Sequence, residues 1–179
     1  MQRHHHCELA FEEHLRRLRL PYVAVDEARK SLLPPESGFD AIKSFDFLVS
    51  LPNRSLLVDI KGRKLRMNRS GRVGKLENWV TRDDLRSLAH WEQIFGPKFQ
   101  AVFVFAYWSD IQPPDGVFDH LLHHRDRWYA LRCIDRASYE AHARTRSPKW
   151  ETVDLDARVF SQLATGLTPD RNPYDALCA

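Results

Sequence analysis

Two acids and a lysine lie in short apolar segments of strand length. Ser44 to Ser50 (SFDFLVS) carries Asp46, and Ser55 to Lys61 (SLLVDIK) carries Asp59 and Lys61. Side chains on a strand alternate between faces, so Leu57, Asp59 and Lys61 point one way while Leu56, Val58 and Ile60 point the other. An acid and an ammonium in so apolar a stretch cost roughly several kcal/mol to desolvate unless they pair with each other or bind a cation. That cost marks Asp46, Asp59 and Lys61 as a candidate site.

Positive charge gathers where the second of these segments ends. From Lys61 to Lys75 there are seven basic residues and no acidic one, whereas the rest of the chain holds 20 basic and 24 acidic residues. Arg63, Lys64, Arg66, Arg69, Arg72 and Lys75 thus form the footprint expected for a polyanion such as a nucleic-acid backbone. A solvated basic loop is the plainer alternative. Gly62, Gly71 and Gly74 punctuate this stretch and predict a mobile loop in the absence of a ligand.

The elements that would position these groups follow from periodicity. Cys7, Phe11, Leu15 and Leu18 form one helical stripe that Pro21 closes, with Glu8 and Glu12 along its edge and Glu13 round on the polar side. Tyr22 to Val25 is β-rich, and a polar connection with Pro34, Pro35 and Gly38 follows. Pro52-Asn53-Arg54 makes the two acid-bearing strands a hairpin. Thr81, with Asp84 three residues on, opens a helix that Gly96-Pro97 stops, and Leu85, Leu88, Trp91, Glu92 and Phe95 mark its inward side. Ala101 to Trp108 (AVFVFAYW) suits a strand covered on both faces. Phe118 to His123 and Trp128 to Ile134 read as a further hairpin, with short helices at Ala137 to Ala143 and Ala157 to Leu163. A poorly ordered tail is expected beyond about residue 165.

Asp46, followed thirteen positions later by Asp59-Ile60-Lys61, resembles the signature of the PD-(D/E)XK nuclease superfamily. That resemblance spans roughly the first 110 residues and implies a restriction-endonuclease-like α/β core, in the order helix, three strands, helix, strand, here with a C-terminal α/β extension. It implies Asp46 and Asp59 as ligands of magnesium or manganese, Lys61 as the catalytic lysine, and a glutamate of the first helix, Glu8 or Glu12, completing the site, with Glu8 as third metal ligand. The physical chemistry agrees. Magnesium takes hard oxygens, keeps several waters and bridges to phosphate, and a lysine nearby can orient the nucleophile or stabilise an anionic transition state. Gln93 stands where some members carry an auxiliary polar residue. One departure is Phe45, where the motif has proline. His6-Cys7-Glu8-Leu9-Ala10-Phe11-Glu12 and Val58-Asp59-Ile60-Lys61-Gly62-Arg63 also resemble the HYExAFE family of uncharacterised bacterial proteins, with Cys7 in place of its tyrosine.

The remaining features narrow the class. A chain of 179 residues predicts a single nuclease-like domain over residues 1–165. No run approaches the ~18 apolar residues of a membrane helix and no signal-peptide pattern opens the chain, so the expectation is a cytoplasmic protein without membrane contact. Cys7, Cys133 and Cys178, an odd number, widely spaced and without a CxxC pair, indicate neither a disulfide framework nor a zinc knuckle. His4, His5 and His6 suit a disordered terminus, and His120, His123 and His124 lack zinc-site spacing. Trp79, Trp91 and Trp108 could stack on bases, although Trp91 and Trp108 fit the core better. The resulting expectation is a metal-dependent nuclease acting on DNA, with a homodimer implied by the resemblance. A non-catalytic nucleic-acid-binding module of the same fold is the alternative.

Overall fold

The computed structural model describes residues 5–25, 42–68 and 71–166. The polar connection with Pro34, Pro35 and Gly38, the basic residue Arg69, Cys178 and nearly all of the C-terminal tail lie outside these residues. In chain order the elements are α1 (His5–Arg17), β1 (Tyr22–Ala24), β2 (Phe47–Ser50), β3 (Ser55–Lys64), β4 (Val80–Thr81), α2 (Arg82–Phe95) and β5 (Phe99–Ser109). There follow β6 (Leu122–His124), β7 (Arg127–Asp135), α3 (Arg136–His142), β8 (Arg144–Ser147), β9 (Thr152–Asp154), α4 (Ala157–Leu163) and β10 (Thr165–Gly166).

The main sheet runs β1-β2-β3-β5-β7-β10, with β6 also pairing to β7. β3 and β5 are parallel and the other neighbours are antiparallel. A parallel pair needs a crossover, and α2 supplies it. The helix starts where the sequence demands: the Thr81 hydroxyl accepts from the Asp84 N–H and the Asp84 carboxylate accepts from the Thr81 N–H, a capping box. Gly96, at φ +88°, lets the chain leave the helix with its N–H on the Glu92 carbonyl.

Two apolar layers hold the sheet. On one face α1 lays Cys7, Ala10, Phe11 and Leu15 against Val58, Ile60, Val102 and Val104. On the other, Leu85 and Leu88 of α2, Tyr139 of α3 and Phe160 of α4 cover Leu57, Phe103 and Phe105. Burial on both faces explains why Ala101 to Tyr107 is continuously apolar. Each fully buried Leu or Phe contributes about 1.5–3 kcal/mol, so these layers, rather than surface ion pairs, carry the stability.

The C-terminal part is α/β, as expected, and it joins the main sheet. β7 pairs with β5 along eight residues, Val102 with Asp135 through Ser109 with Trp128, and so extends the main sheet. A second sheet, β4-β9-β8, was not foreseen. Asn78 fastens it: its amide donates to the Leu155 carbonyl at 3.2 Å and accepts from the Leu155 N–H at 3.1 Å, while the Tyr139 hydroxyl donates to the Asn78 carbonyl at 2.7 Å. No helix among the described residues is long and apolar enough to cross a membrane.

Candidate active site

Asp46 precedes β2 by one residue, and the chain there still lies along β3. Its N–H donates to the Val58 carbonyl at 2.7 Å, its carbonyl accepts from the Val25 N–H at 2.8 Å, and its Oδ2 accepts from the Ile60 N–H at 2.5 Å. The half-buried carboxylate is thereby fixed beside residues 58–60. Burial, and next the charge of Asp59, push its pKa up to about 8, against the lowering pull of the Ile60 N–H.

Asp59 and Lys61 share the face of β3 that looks toward α2. Asp59 is 8 % exposed. Burial raises its pKa above the usual carboxylate range, with Lys61 pulling the other way. Lys61 Nζ sits 2.8 Å from Asp59 Oδ2 and 3.3 Å from Asp84 Oδ2, above the ring of Phe103 at 5.9 Å from its centroid. Burial works to lower the Lys61 ammonium, yet Asp59 and Asp84 outweigh it and hold its pKa above the ordinary value. The lysine is therefore charged and fixed between two carboxylates.

Asp84 and Lys43 are the members of this cluster that sequence reasoning missed as site residues. Asp84 registered only as a capping residue, but its Oδ1 also binds Lys43 Nζ at 3.0 Å. Burial opposes its charge, but Lys61, the Thr81 cap and Lys43 prevail and bring its pKa down to about 2. Lys43 is anchored to α2 through its own backbone, its N–H donating to Ser87 Oγ and its carbonyl accepting from Trp91 Nε1. A cap acid followed by a buried helix face, and a lysine three residues before Asp46, were the available signals.

The other expected site residues divide. Glu8, in the first turn of α1, is the helix glutamate whose charge acts on Asp46. Glu12 is taken up elsewhere, 2.8 Å from Arg16 Nη2 and 2.7 Å from the Tyr22 hydroxyl. Gln93 is exposed near the C-terminal end of α2, nine residues beyond Asp84 and so about 13 Å along the axis from it. It does not join the cluster. Arg63 requires a correction as a phosphate-gripping residue. It belongs to β3, is only 9 % exposed, donates to the Trp79 carbonyl and lies 4.1 Å from the Trp79 ring centroid. Gly62 likewise lies within β3 rather than in a loop. Lys64, Arg66, Arg72 and Lys75 are exposed, with Lys64 3.0 Å from Asp110, Arg66 3.8 Å from Glu77 and Lys75 3.7 Å from Asp154. His6 is part of α1, its ring 3.1 Å from the Tyr129 hydroxyl.

Whether these residues suit a divalent ion is a question of donor chemistry. Among the described residues no group of three or more His, Cys, Asp or Glu side chains is placed to hold a metal. Asp46 and Asp59 nevertheless fit an ion that keeps several waters: they are hard oxygen donors, largely desolvated, and the charge of Asp59 disfavours that of Asp46.

No protein-family model matches the chain, so the resemblance to the HYExAFE family gains no support, and no curated protein matches it either. Among solved structures the chain is similar to Hjc, a Holliday junction resolvase from the hyperthermophile Archaeoglobus fulgidus. The match has a TM-score of 0.53 at 15% identity and covers 88% of this chain and 92% of that one. The fold is restriction-endonuclease-like, the α/β architecture that the motif resemblance implies.

Proposed function

We propose that the protein is a metal-dependent nuclease that hydrolyses phosphodiester bonds in DNA. One observation carries this reading: Asp59 and Lys61 stand together on β3, the lysine ammonium 2.8 Å from Asp59, and Asp46, just before β2, is bonded to β3 at Val58 and Ile60. Asp46 and Asp59 would hold magnesium or manganese, with Glu8 adding negative charge from α1. Such an ion lowers the pKa of a bound water and offsets charge on the phosphate. Lys61 supplies a fixed positive charge for the pentavalent transition state and orients the attacking water, and Asp59 and Asp84 hold it in place. The exposed Lys64, Arg66, Arg72 and Lys75 supply the sequence-independent attraction to the backbone.

Hjc is a Holliday junction resolvase, so branched DNA is the first substrate to try, beside single strands and duplex. Cleavage of labelled DNAs in magnesium or manganese tests the proposal. Asp59→Asn and Lys61→Ala should each lower the rate at least ~100-fold while leaving the fold intact. Full activity in either variant would sink the assignment.

A second reading has its own observation. Asp59 Oδ2 is already engaged by Lys61, and the described residues offer no three-ligand group. A nuclease-like fold that binds nucleic acid without turnover would show salt-sensitive binding and no cutting in either metal.

A further inference from the structure

The hairpin of β8 and β9 plays no part in the acid–lysine cluster, yet it is bonded to the start of α2, the helix that carries Asp84. Residues 144–150 (RTRSPKW) contain Arg144, Arg146 and Lys149 and no acid. β9 pairs with β4, setting Thr152 opposite Thr81, the residue that caps α2. The first amide of α2, that of Arg82, donates to the Glu151 carbonyl at 2.8 Å, and Arg82 Nη2 donates to Thr145 Oγ1 at 2.9 Å. The hairpin is thus fastened to the same helix start that presents Asp84 to Lys61.

At its tip stands Trp150, 71 % exposed. The turn that displays it is defined, with the Glu151 N–H on the Pro148 carbonyl at 3.2 Å and Glu151 at φ +46°. Its ring offers a flat apolar face with a polar N–H to whatever approaches. The same hairpin carries cations, beside one exposed acid, Glu151, next to Trp150 in the chain. Lys149 Nζ lies 5.5 Å from the Trp150 centroid, and the Arg146 guanidinium lies 5.1 Å from the centroid of Trp79, whose ring also carries Arg63 at 4.1 Å. Arg144 is committed to Asp154 at 2.9 Å and Asp156 at 3.5 Å, whereas Arg146 and Lys149 make no ion pair among the described residues. An exposed indole on a hairpin whose Arg146 and Lys149 make no ion pair among the described residues fits a partner with flat π faces and negative charge. A paired duplex keeps its base faces stacked inside. An unpaired strand offers them.

We propose that the β8–β9 hairpin is a binding surface for unpaired nucleotides, with Trp150 stacking on a base and Arg146 and Lys149 on the flanking phosphates. The proposal deepens the nuclease reading, on which it rests for its relevance to the site, by naming nucleic acid with single-stranded residues as the substrate class.

Binding by the full chain in EDTA, where hydrolysis is kept out, tests the surface apart from the chemistry. The probes are a labelled oligothymidylate and a blunt duplex of equal length, followed by fluorescence anisotropy. Trp150→Ala should weaken oligothymidylate binding about 10-fold, Trp150→Phe should restore most of it, and the duplex should change less than about twofold. Arg146→Ala and Lys149→Ala should each flatten the dependence of log K on log salt by about 0.7. Iodide quenching of the exposed indole in the wild type should fall when oligothymidylate is added. Equal oligothymidylate binding by wild type and Trp150→Ala, or none by the wild type, would overturn the proposal. Metal-dependent cutting with binding unaffected in Trp150→Ala would leave the nuclease reading standing and this surface refuted. Binding lost in Trp150→Ala with no cutting by the wild type would support the surface and count against the nuclease.

Discussion

Asp84 Oδ2 lies 3.3 Å from Lys61 Nζ, so the carboxylate that caps a helix also holds the lysine of the neighbouring strand. Helix start and candidate site are thereby one construction. Asp84→Asn keeps the size of the side chain but removes the charge beside Lys61 and weakens the cap. Thr81→Ala removes a cap partner without touching the Lys61 contact. Under the nuclease reading Asp84→Asn should lower kcat by about 10-fold or more with KM little changed, and Thr81→Ala should cost about 1 kcal/mol of stability with kcat nearly intact. Equal kcat values for the two variants would show that Asp84 serves the helix alone.

The same carboxylate should leave a trace in acid stability. Its folded pKa is depressed from the ordinary 3.8 to about 2, against its own burial, by Lys61, the Thr81 cap and Lys43. A depressed carboxyl pKa means that the unfolded chain binds the proton first as pH falls. The stabilisation is therefore fully present above about pH 4 and is lost as pH drops through about 2, and it amounts to about 2 kcal/mol for a group this buried. Urea unfolding of wild type and Asp84→Asn should show a stability gap that narrows steadily below about pH 4. A gap independent of pH from about 5 to about 2.5 would contradict the ionic account.

The two helix glutamates, indistinguishable by periodicity, part company in space. Glu8 acts on Asp46, and Glu12 is bonded to Arg16 and Tyr22 on the surface. Glu8→Gln should reduce metal-dependent cleavage and raise the metal concentration needed for it. Glu12→Gln should leave cleavage unchanged and cost no more than about 1 kcal/mol. A metal titration of activity for both variants decides between them; the reverse ranking would move the third carboxylate to Glu12.

What the sequence made legible was whatever local pattern determines. The α1 stripe, the capping box at Thr81, the stop at Gly96 and the two-sided strand at Ala101 each depend on neighbours a few residues away, and each lies where the pattern put it. Asp46, Asp59 and Lys61 stood out as candidates because charge in an apolar segment is conspicuous, and the structure sets Asp59 and Lys61 on β3 with Asp46 bonded to it. What escaped was set by partners distant in sequence. β8 has the exposed, polar sequence Arg144–Ser147 and becomes a strand by pairing with β9, which β4 anchors from the other side. Arg63 looked like one more cation of a basic run, but β3 continues through Lys64 and carries its guanidinium against Trp79. Asp84 looked like a cap because nothing local reveals that a strand lysine and Lys43 converge on it.

Beneath the acid–lysine cluster the floor is apolar, and this separates stability from chemistry. Phe103, fully buried, pairs with Asp59 in the parallel ladder and packs against Tyr139 at 5.3 Å between ring centroids. Its ring is also the surface over which the Lys61 ammonium rests. Phe103→Ala removes these contacts and opens a cavity between β5 and α3, so it should lower stability by about 3–5 kcal/mol. Val23→Ala, at a side chain 62 % exposed, should stay within about 0.5 kcal/mol. Urea midpoints with unchanged slopes for both variants are the measurement. If Phe103→Ala unfolds at the same midpoint as Val23→Ala, the layer between β5 and α3 does not carry the stability, and the positioning of Lys61 above it would need another support.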